Sequence, residues 1–302
     1  MDVTKKILRN ALGMARALKA RAILVYADVF AGVAELAAFL EESAGQMVVV
    51  VTRERETYQR LKETSAQVIL VPAVRLTRLG QIKIAVLLGL SRSIFEQGDR
   101  LICLTGISAD QAVDTMVFLE VGEEYEIFSM GEHDGEGAQV NPLVFERVLD
   151  IAVALGSQGR EGKPVGTIFV LGDTENVLTH STPLVLNPFH GHSEEKRNVL
   201  DPALTETVKE FSAIDGAFVI RGDGLIEAAG VYLKPSEFGE QLPWGLGTRH
   251  KSAAGITATT SAVAVAVSAS TGTVTVFRNG KILIEVERLK PIGSISTGKG
   301  EA

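Results

Sequence analysis

The chain has 302 residues, 46% hydrophobic and 22% charged, enough for one large domain or two with ordinary cores. A formal net charge of −7 argues against an unassisted nucleic-acid binder, which would carry a basic excess. The single cysteine, Cys103, excludes an internal disulfide; it lies in the apolar run 101–104 and reads as a buried packing residue.

Residues 1–20 read as a structural helix, with Ile7, Leu8, Ala11, Met14, Ala15 and Leu18 on a helical period and no signal-peptide core. No apolar run approaches the ~20 residues that span a bilayer, so the expected location is the cytoplasm. From 22 to about 130, short apolar runs at 22–26, 47–51, 68–71, 101–105 and 126–129 alternate with helix-forming stretches at 33–40, 54–63 and 81–95. Continuous apolar strands separated by helices predict a parallel sheet covered on both faces, an α/β unit over residues 1–130. Its pattern is similar to the C-terminal domain of pyruvate kinase, with Gly98-Asp99 ahead of a strand and Thr105-Gly106 after it. Thr52, Arg53, Thr105, Gly106 and Ser108 fall at strand ends, where they form either ordinary turns or a small-anion site.

Gly131 to Gly137 holds three glycines and three acids, too polar to pack, and marks a linker at 131–140. His133 has acidic neighbours, but a Gly-rich segment does not preorganise a metal site. A second α/β domain is expected over 141–290, with a frayed tail at 291–302. It opens with a helix at 142–155, then a turn rich in glycine at 159–166 and a strand at 167–171. His190 and His192, with Glu194 and Glu195, are a candidate metal cluster, with a solvated turn as the favoured reading. A helix at 202–211 leads to Asp215-Gly216-Ala217, a strand at 217–220, a turn, and a returning strand at 225–233. Residues 262–267 are apolar on both faces and form a central strand; 273–277 and 281–286 flank Arg278-Asn279-Gly280 as a hairpin. The second sheet is therefore mixed.

Gly247-Thr248-Arg249-His250-Lys251-Ser252 packs two cations, an imidazole and two hydroxyls ahead of an Ala-rich helical stretch. A helix start with such side chains suits phosphate oxygens, although Ser and Thr there are more often plain N-caps. Together with Asp215-Gly216-Ala217 upstream, it resembles the two signature motifs of the diadenylate cyclases, in their archaeal-type architecture. The stretches 160–173 and 187–191 also resemble segments upstream of the catalytic motif in that family. The resemblance implies an enzyme that joins two ATP molecules into cyclic di-AMP, with Mn2+ or Mg2+ and release of pyrophosphate. It implies that Asp215 serves the 3′-hydroxyl and the metal, and that Thr248, Arg249 and His250 grip phosphates. By the same resemblance, Gly247, Lys251 and Ser252 are expected to belong to the phosphate motif, Gly216 and Ala217 to keep the backbone accessible to the base, Leu233 to pack on the adenine and Ser268 to line the nucleotide site.

Three departures stand out. Lys251 replaces the usual arginine, losing a planar fork. Ile214 stands where some members carry a metal-binding histidine. Ser268-Ala269-Ser270-Thr271-Gly272 lacks the carboxylates of the family's Ser-Glu-Glu-Thr-Gly segment. One motif set per chain, and a reaction joining two nucleotides, predict a homodimeric catalytic unit with two-fold symmetry, alone or within a larger homo-oligomer. Two rival readings stay open: a nucleotide-binding regulator without turnover, and a chain whose main role is ligand sensing by its first domain. A DNA-scanning architecture is not expected, because residues 287–302 carry no basic helix-hairpin-helix-like pattern.

Overall fold

The computed structural model describes residues 3–30, 32–63, 67–74, 76–106, 112–122, 140–234 and 247–286. The expected strand at 126–129, the 131–137 linker with His133, Ser108 and the 291–302 tail lie outside the described residues.

After helix α1 (Val3–Ala17), the N-terminal half alternates strands β1 (Ala22–Tyr26), β2 (Val48–Thr52), β3 (Gln67–Leu70) and β4 (Arg100–Thr105) with helices α2 (Val33–Glu42), α3 (Arg55–Lys62) and α4 (Arg78–Ser91). β5 (Thr115–Glu120) completes a sheet of order β3-β2-β1-β4-β5. The first four strands are parallel, as their unbroken apolar runs predict; β5 adds antiparallel to β4 at one side, which leaves the sheet mostly parallel. Its residues are half-buried or exposed, Phe118 among the exposed ones, so this edge strand gives no continuous apolar run. Cys103 is buried at the centre of β4, and burial pushes its thiol up to about 12.

The strand ends that could have held an anion are already occupied by internal partners. Thr52 Oγ1 donates to Asp28 Oδ1 at 2.6 Å, and the Arg53 backbone and guanidinium reach the same carboxylate at 3.2 and 3.4 Å. Burial raises the Asp28 carboxyl pKa, with the Thr52 and Arg53 contacts acting against that rise. Thr105 Oγ1 bonds Gln81 Oε1, Gln81 Nε2 donates to the Gly106 carbonyl, and Tyr26 donates to the Gln81 carbonyl. This network fixes the N-terminal end of α4, which Thr77 caps by accepting from the Gly80 N–H.

In the C-terminal half, α5 (Pro142–Gln158) starts at Asn141, whose side chain accepts from the Leu143 N–H, with Pro142 in the first turn. It ends at Gly159. There follow β6 (Thr167–Leu171), α6 (Thr174–Thr179), β7 (Ser181–Pro183), α7 (Leu204–Phe211), β8 (Ala217–Ile220), β9 (Ile226–Leu233), α8 (Thr248–Thr259), β10 (Val263–Val267), β11 (Val274–Arg278) and β12 (Lys281–Val286). The sheet runs β12-β11-β10-β6-β8-β9-β7; β6 and β8 are parallel and the remaining pairs antiparallel, the mixed sheet that was predicted. α6 and β7 are additions, both too short for a periodic signal.

α5 covers one face of this sheet and α8 the other. The α5 side belongs to one hydrophobic core that runs through both halves, joining Ile84, Leu87 and Leu88 of α4 to Val148 and Ile151 of α5 and Ile284 and Val286 of β12. Arg92, at the end of α4, holds Glu146 of α5 with two bonds of 2.7 Å. The α8 side is a separate, Ala-rich cluster that includes Ala217, Leu233, Ala253, Ala264 and Phe277. No helix among the described residues is long and apolar enough to cross a membrane.

Candidate functional site

Strand register decides which side chains meet. Thr167 pairs with Val267, Ile168 with Ala217, Ala217 with Val231, and Val274 with both Val267 and Val286. The starts of β6, β8 and β11 and the ends of β9, β10 and β12 therefore share one edge of the sheet. Gly166, Asp215, Leu233, Ser268 and Glu285 all fall at or next to that edge, and α8 begins there.

Gly247 is the N-cap of α8 and no side chain caps the helix; Thr248 is already in the first turn. The amide end of the helix is thus left to whatever occupies a cleft of about 390 Å3 beside it. Gly247, Thr248, Arg249 and His250 form one wall. The turn from Val267 through Thr271 forms a second, and Thr273, Thr275 and Glu285 line the rest. Ser268 organises the turn: its hydroxyl accepts from the Thr271 N–H at 3.3 Å and lies 3.2 Å from Ser270 Oγ, while its carbonyl accepts from Gly272 at 2.9 Å.

Arg249 lines this cleft and also turns toward Asp215, with Nη2 donating to Oδ1 at 3.1 Å. The pair is open to solvent, Asp215 84% exposed and Arg249 37%, so it adds only about 0–1 kcal/mol to stability. Both groups are available to a ligand. Gly166, which the sequence showed only as part of a turn, makes room here: a Cβ on it would lie 3.0 Å from Arg249 Nη1 and 3.0 Å from Ala269 Cβ.

The Asp215 carboxylate is placed by its neighbours in the chain. Ile214 closes α7 by donating to the Phe211 carbonyl, and Gly216 then turns the backbone into β8 at φ +114°. A Cβ on Gly216 would sit 2.7–2.8 Å from the backbone of Gly230 and Val231 in β9. Gly216 thus permits a backbone crossing between two strands, a reason the sequence did not show. Ala217 is 1% exposed and Leu233 2%, both in the core cluster under α8, so their side chains support the edge from below. Lys251 is exposed and Ser252 half-buried, and neither lines the described cleft, nor do Asp215, Gly216, Ala217 and Leu233.

His250, the imidazole of the 247–252 motif, adds no cation to the cleft. Its imidazole is buried, 7% exposed, with Nε2 3.3 Å from Thr275 Oγ1 and its ring edge-on to Phe277 at 6.0 Å. Burial lowers its pKa below the ordinary 6.5, with Glu285 acting in the opposite direction. The ring is therefore neutral at pH 7, and Arg249 is the one cationic side chain on the described cleft wall. As pH falls below 6.5 the unfolded chain takes up this proton before the folded one, so His250 makes stability fall with pH through its lowered folded value. The denaturation midpoint is expected to drop between about pH 7.5 and 5.5, and His250→Gln to remove part of that drop. An imidazole resonance assigned by its loss in that variant, and titrating above 6.5, would contradict a neutral ring.

Glu285 and Thr275 are the cleft groups that sequence reasoning missed. Each sits inside a strand-like run where nothing but the cross-strand register, Thr275 opposite Glu285, reveals that both face α8. His190, His192, Glu194 and Glu195 are all exposed, and no group of three or more metal-ligating side chains occurs among the described residues.

Residues 154–282 match the family described as DisA bacterial checkpoint controller nucleotide-binding, and residues 4–128 the one described as Probable sensor domain DacZ_P. A Methanocaldococcus jannaschii protein named diadenylate cyclase is 31% identical over 303 residues, which cover 94% of this chain and 97% of that protein. A Haloferax volcanii protein of the same name is 36% identical over 205 residues, 66% of this chain and 71% of the other. A double mutant of DacA from Staphylococcus aureus is a solved structure 24% identical, with a TM-score of 0.31 over 46% of this chain and 83% of that one. Asp215 and the 247–252 segment both fall within the matched 154–282 stretch. With nearly the whole length aligned to the Methanocaldococcus protein, the chain belongs to the diadenylate cyclase family.

Proposed function

We propose that this protein condenses two ATP molecules into cyclic di-AMP. In each half of the reaction the ribose 3′-hydroxyl of one ATP loses its proton, its oxygen bonds to the α-phosphorus of the other, and the bond from that phosphorus to the bridging oxygen breaks. Pyrophosphate leaves with the electron pair. Two such steps close the ring. The observation that carries this reading is the 3.1 Å approach of Arg249 to Asp215 at the uncapped start of α8.

Asp215 accepts the 3′-hydroxyl proton; it is exposed at the edge and has one oxygen free of Arg249. Arg249, the α8 amides and the Thr248 hydroxyl hold the polyphosphate, and Ser268 shapes the opposite wall. His250, as a neutral ring, donates or accepts a hydrogen bond and adds no charge. Lys251 and Ser252, one turn along, meet phosphate oxygens from outside the described cleft. Gly216 and Ala217 keep the backbone open to the adenine, and Leu233 supports that end of the sheet from the core. The donor set fits Mg2+ or Mn2+: hard cations of this kind take one or two carboxylates plus substrate phosphates, and Asp215 offers one. Such a cation, when bound, neutralises phosphate charge and makes the attacking hydroxyl more acidic.

Each chain supplies one nucleotide site, so two chains face each other across a two-fold axis, and each 3′-hydroxyl meets the partner's α-phosphate. The N-terminal half, residues 1–130, acts as the sensing or assembly domain, and 141–290 as the cyclase. ATP as substrate puts the reaction in the cytoplasm. Lys251 in place of arginine favours one alternative, a protein that binds ATP or cyclic di-AMP with little turnover. Incubation with ATP and Mn2+, followed by mass spectrometry, separates the two. A doubly cyclised dinucleotide is expected; bound ATP recovered unchanged would favour the regulator.

A further inference from the structure

Glu285 has no role in the site as described so far, and it lies beyond the 154–282 stretch that matches the nucleotide-binding family. It stands at the end of β12 and lines the same cleft as Arg249 and Ser268. Directly across the ladder is Thr275, whose hydroxyl meets His250. No cation forms an ion pair with Glu285 among the described residues. A carboxylate in a cleft that takes polyphosphate is a physical problem. Arg249 brings one positive charge, the α8 terminus about half of one more, and His250 none. Glu285 removes one, so the wall offers about half a positive charge against a triphosphate.

Oxygen dominates the remaining lining: the hydroxyls of Ser268, Ser270, Thr271, Thr273 and Thr275. A carboxylate among hydroxyls, facing phosphate oxygens, is a donor set for a hard divalent cation. We propose that Glu285 receives a divalent cation carried in with the polyphosphate, so that this cleft recognises the metal–nucleotide complex and repels the free nucleotide. This rests on the cleft being the polyphosphate site proposed above.

The full-length protein is titrated with the α,β-methylene analogue of ATP, which cannot release pyrophosphate, once in EDTA and once in Mn2+. Glu285→Gln is expected to bind the metal-free analogue severalfold more tightly, because a repulsion is gone. In Mn2+ it is expected to bind about tenfold more weakly, the scale of losing a group that supports a metal. Glu285→Asp keeps the charge; it should match the parent in EDTA and weaken only with Mn2+. The Mn2+ electron paramagnetic resonance spectrum of the ternary complex should change in both variants. Thermal melts identify a variant that does not fold, and Glu285→Asp then carries the test alone. Affinities that shift in the same direction under both conditions, or stay unchanged, overturn the proposal while leaving the nucleotide site standing. A parent protein that binds the analogue in neither condition overturns the nucleotide site, and this inference with it.

Discussion

Replacing Asp215 with Asn lowers cyclic di-AMP formation by about a thousandfold, the middle of the range for losing a positioned general base. The fold should not change. Asp215 is 84% exposed, and its bond to Arg249 is a solvent-screened pair worth about 0–1 kcal/mol. Binding of the methylene analogue in Mn2+ should weaken much less than turnover falls, because the phosphates are held by Arg249 and the α8 amides. Arg249→Ala should give the complementary pattern, with both analogue binding and turnover reduced, since its guanidinium serves ground state and transition state alike. Chains carrying Asp215→Asn mixed with chains carrying Arg249→Ala test the facing arrangement. The two groups meet within one chain, so every mixed pair contains two damaged halves, and full cyclic product should not return. Recovery of parental activity on mixing would count against two sites facing each other, and undiminished turnover by Asp215→Asn would remove that carboxylate from the chemistry.

The residues that were legible in the sequence are those whose chemistry shows locally. β1, β2 and β4 are unbroken apolar runs because both their faces are covered, and β10 stands out for the same reason. Asp215 and Arg249 could be read from motif order, and the register brings them to one edge. What stayed hidden depends on contacts across the chain. β5 is half-exposed, and its pairing direction follows from β4 rather than from its own residues. Glu285 is one carboxylate in a hairpin strand until Thr275 is placed opposite it and His250 above that. The burial of His250 stayed hidden because a local Arg-His-Lys run says nothing of it; helical rotation turns His250 inward to Phe277 and leaves Lys251 outside. The reason for Gly216 is hidden in the same way, since its close neighbour, Gly230, lies on the next strand beyond a turn.

That crossing carries the largest stability effect expected in the C-terminal half. Gly216→Ala places a methyl 2.7 Å from the Gly230 carbonyl carbon and 2.8 Å from both Gly230 Cα and Val231 N, all backbone atoms that no rotamer change can move. The residue also sits at φ +114°, where L side chains are strained. Strain and overpacking of this kind cost about 2–4 kcal/mol together, or roughly 5–15 °C in Tm for a chain of this size. Gly230→Ala makes the instructive comparison. Its Cβ would meet Val185 Cγ2 at 2.5 Å, the tip of a side chain that is itself 39% exposed, and its φ of +69° lies in the left-handed region. Its cost should be smaller, and adding Val185→Ala should recover much of it, because the obstructing methyl is removed. The same second change should do nothing for Gly216→Ala, whose obstruction is the β9 backbone. To relieve that clash, β9 must move away from β8 or the Asp215 segment must lift off the edge, so turnover should fall along with stability. Melting curves of the four variants decide this: a Gly216→Ala chain as stable as the parent, or one rescued by Val185→Ala, would mean that the two strands do not cross as closely as described.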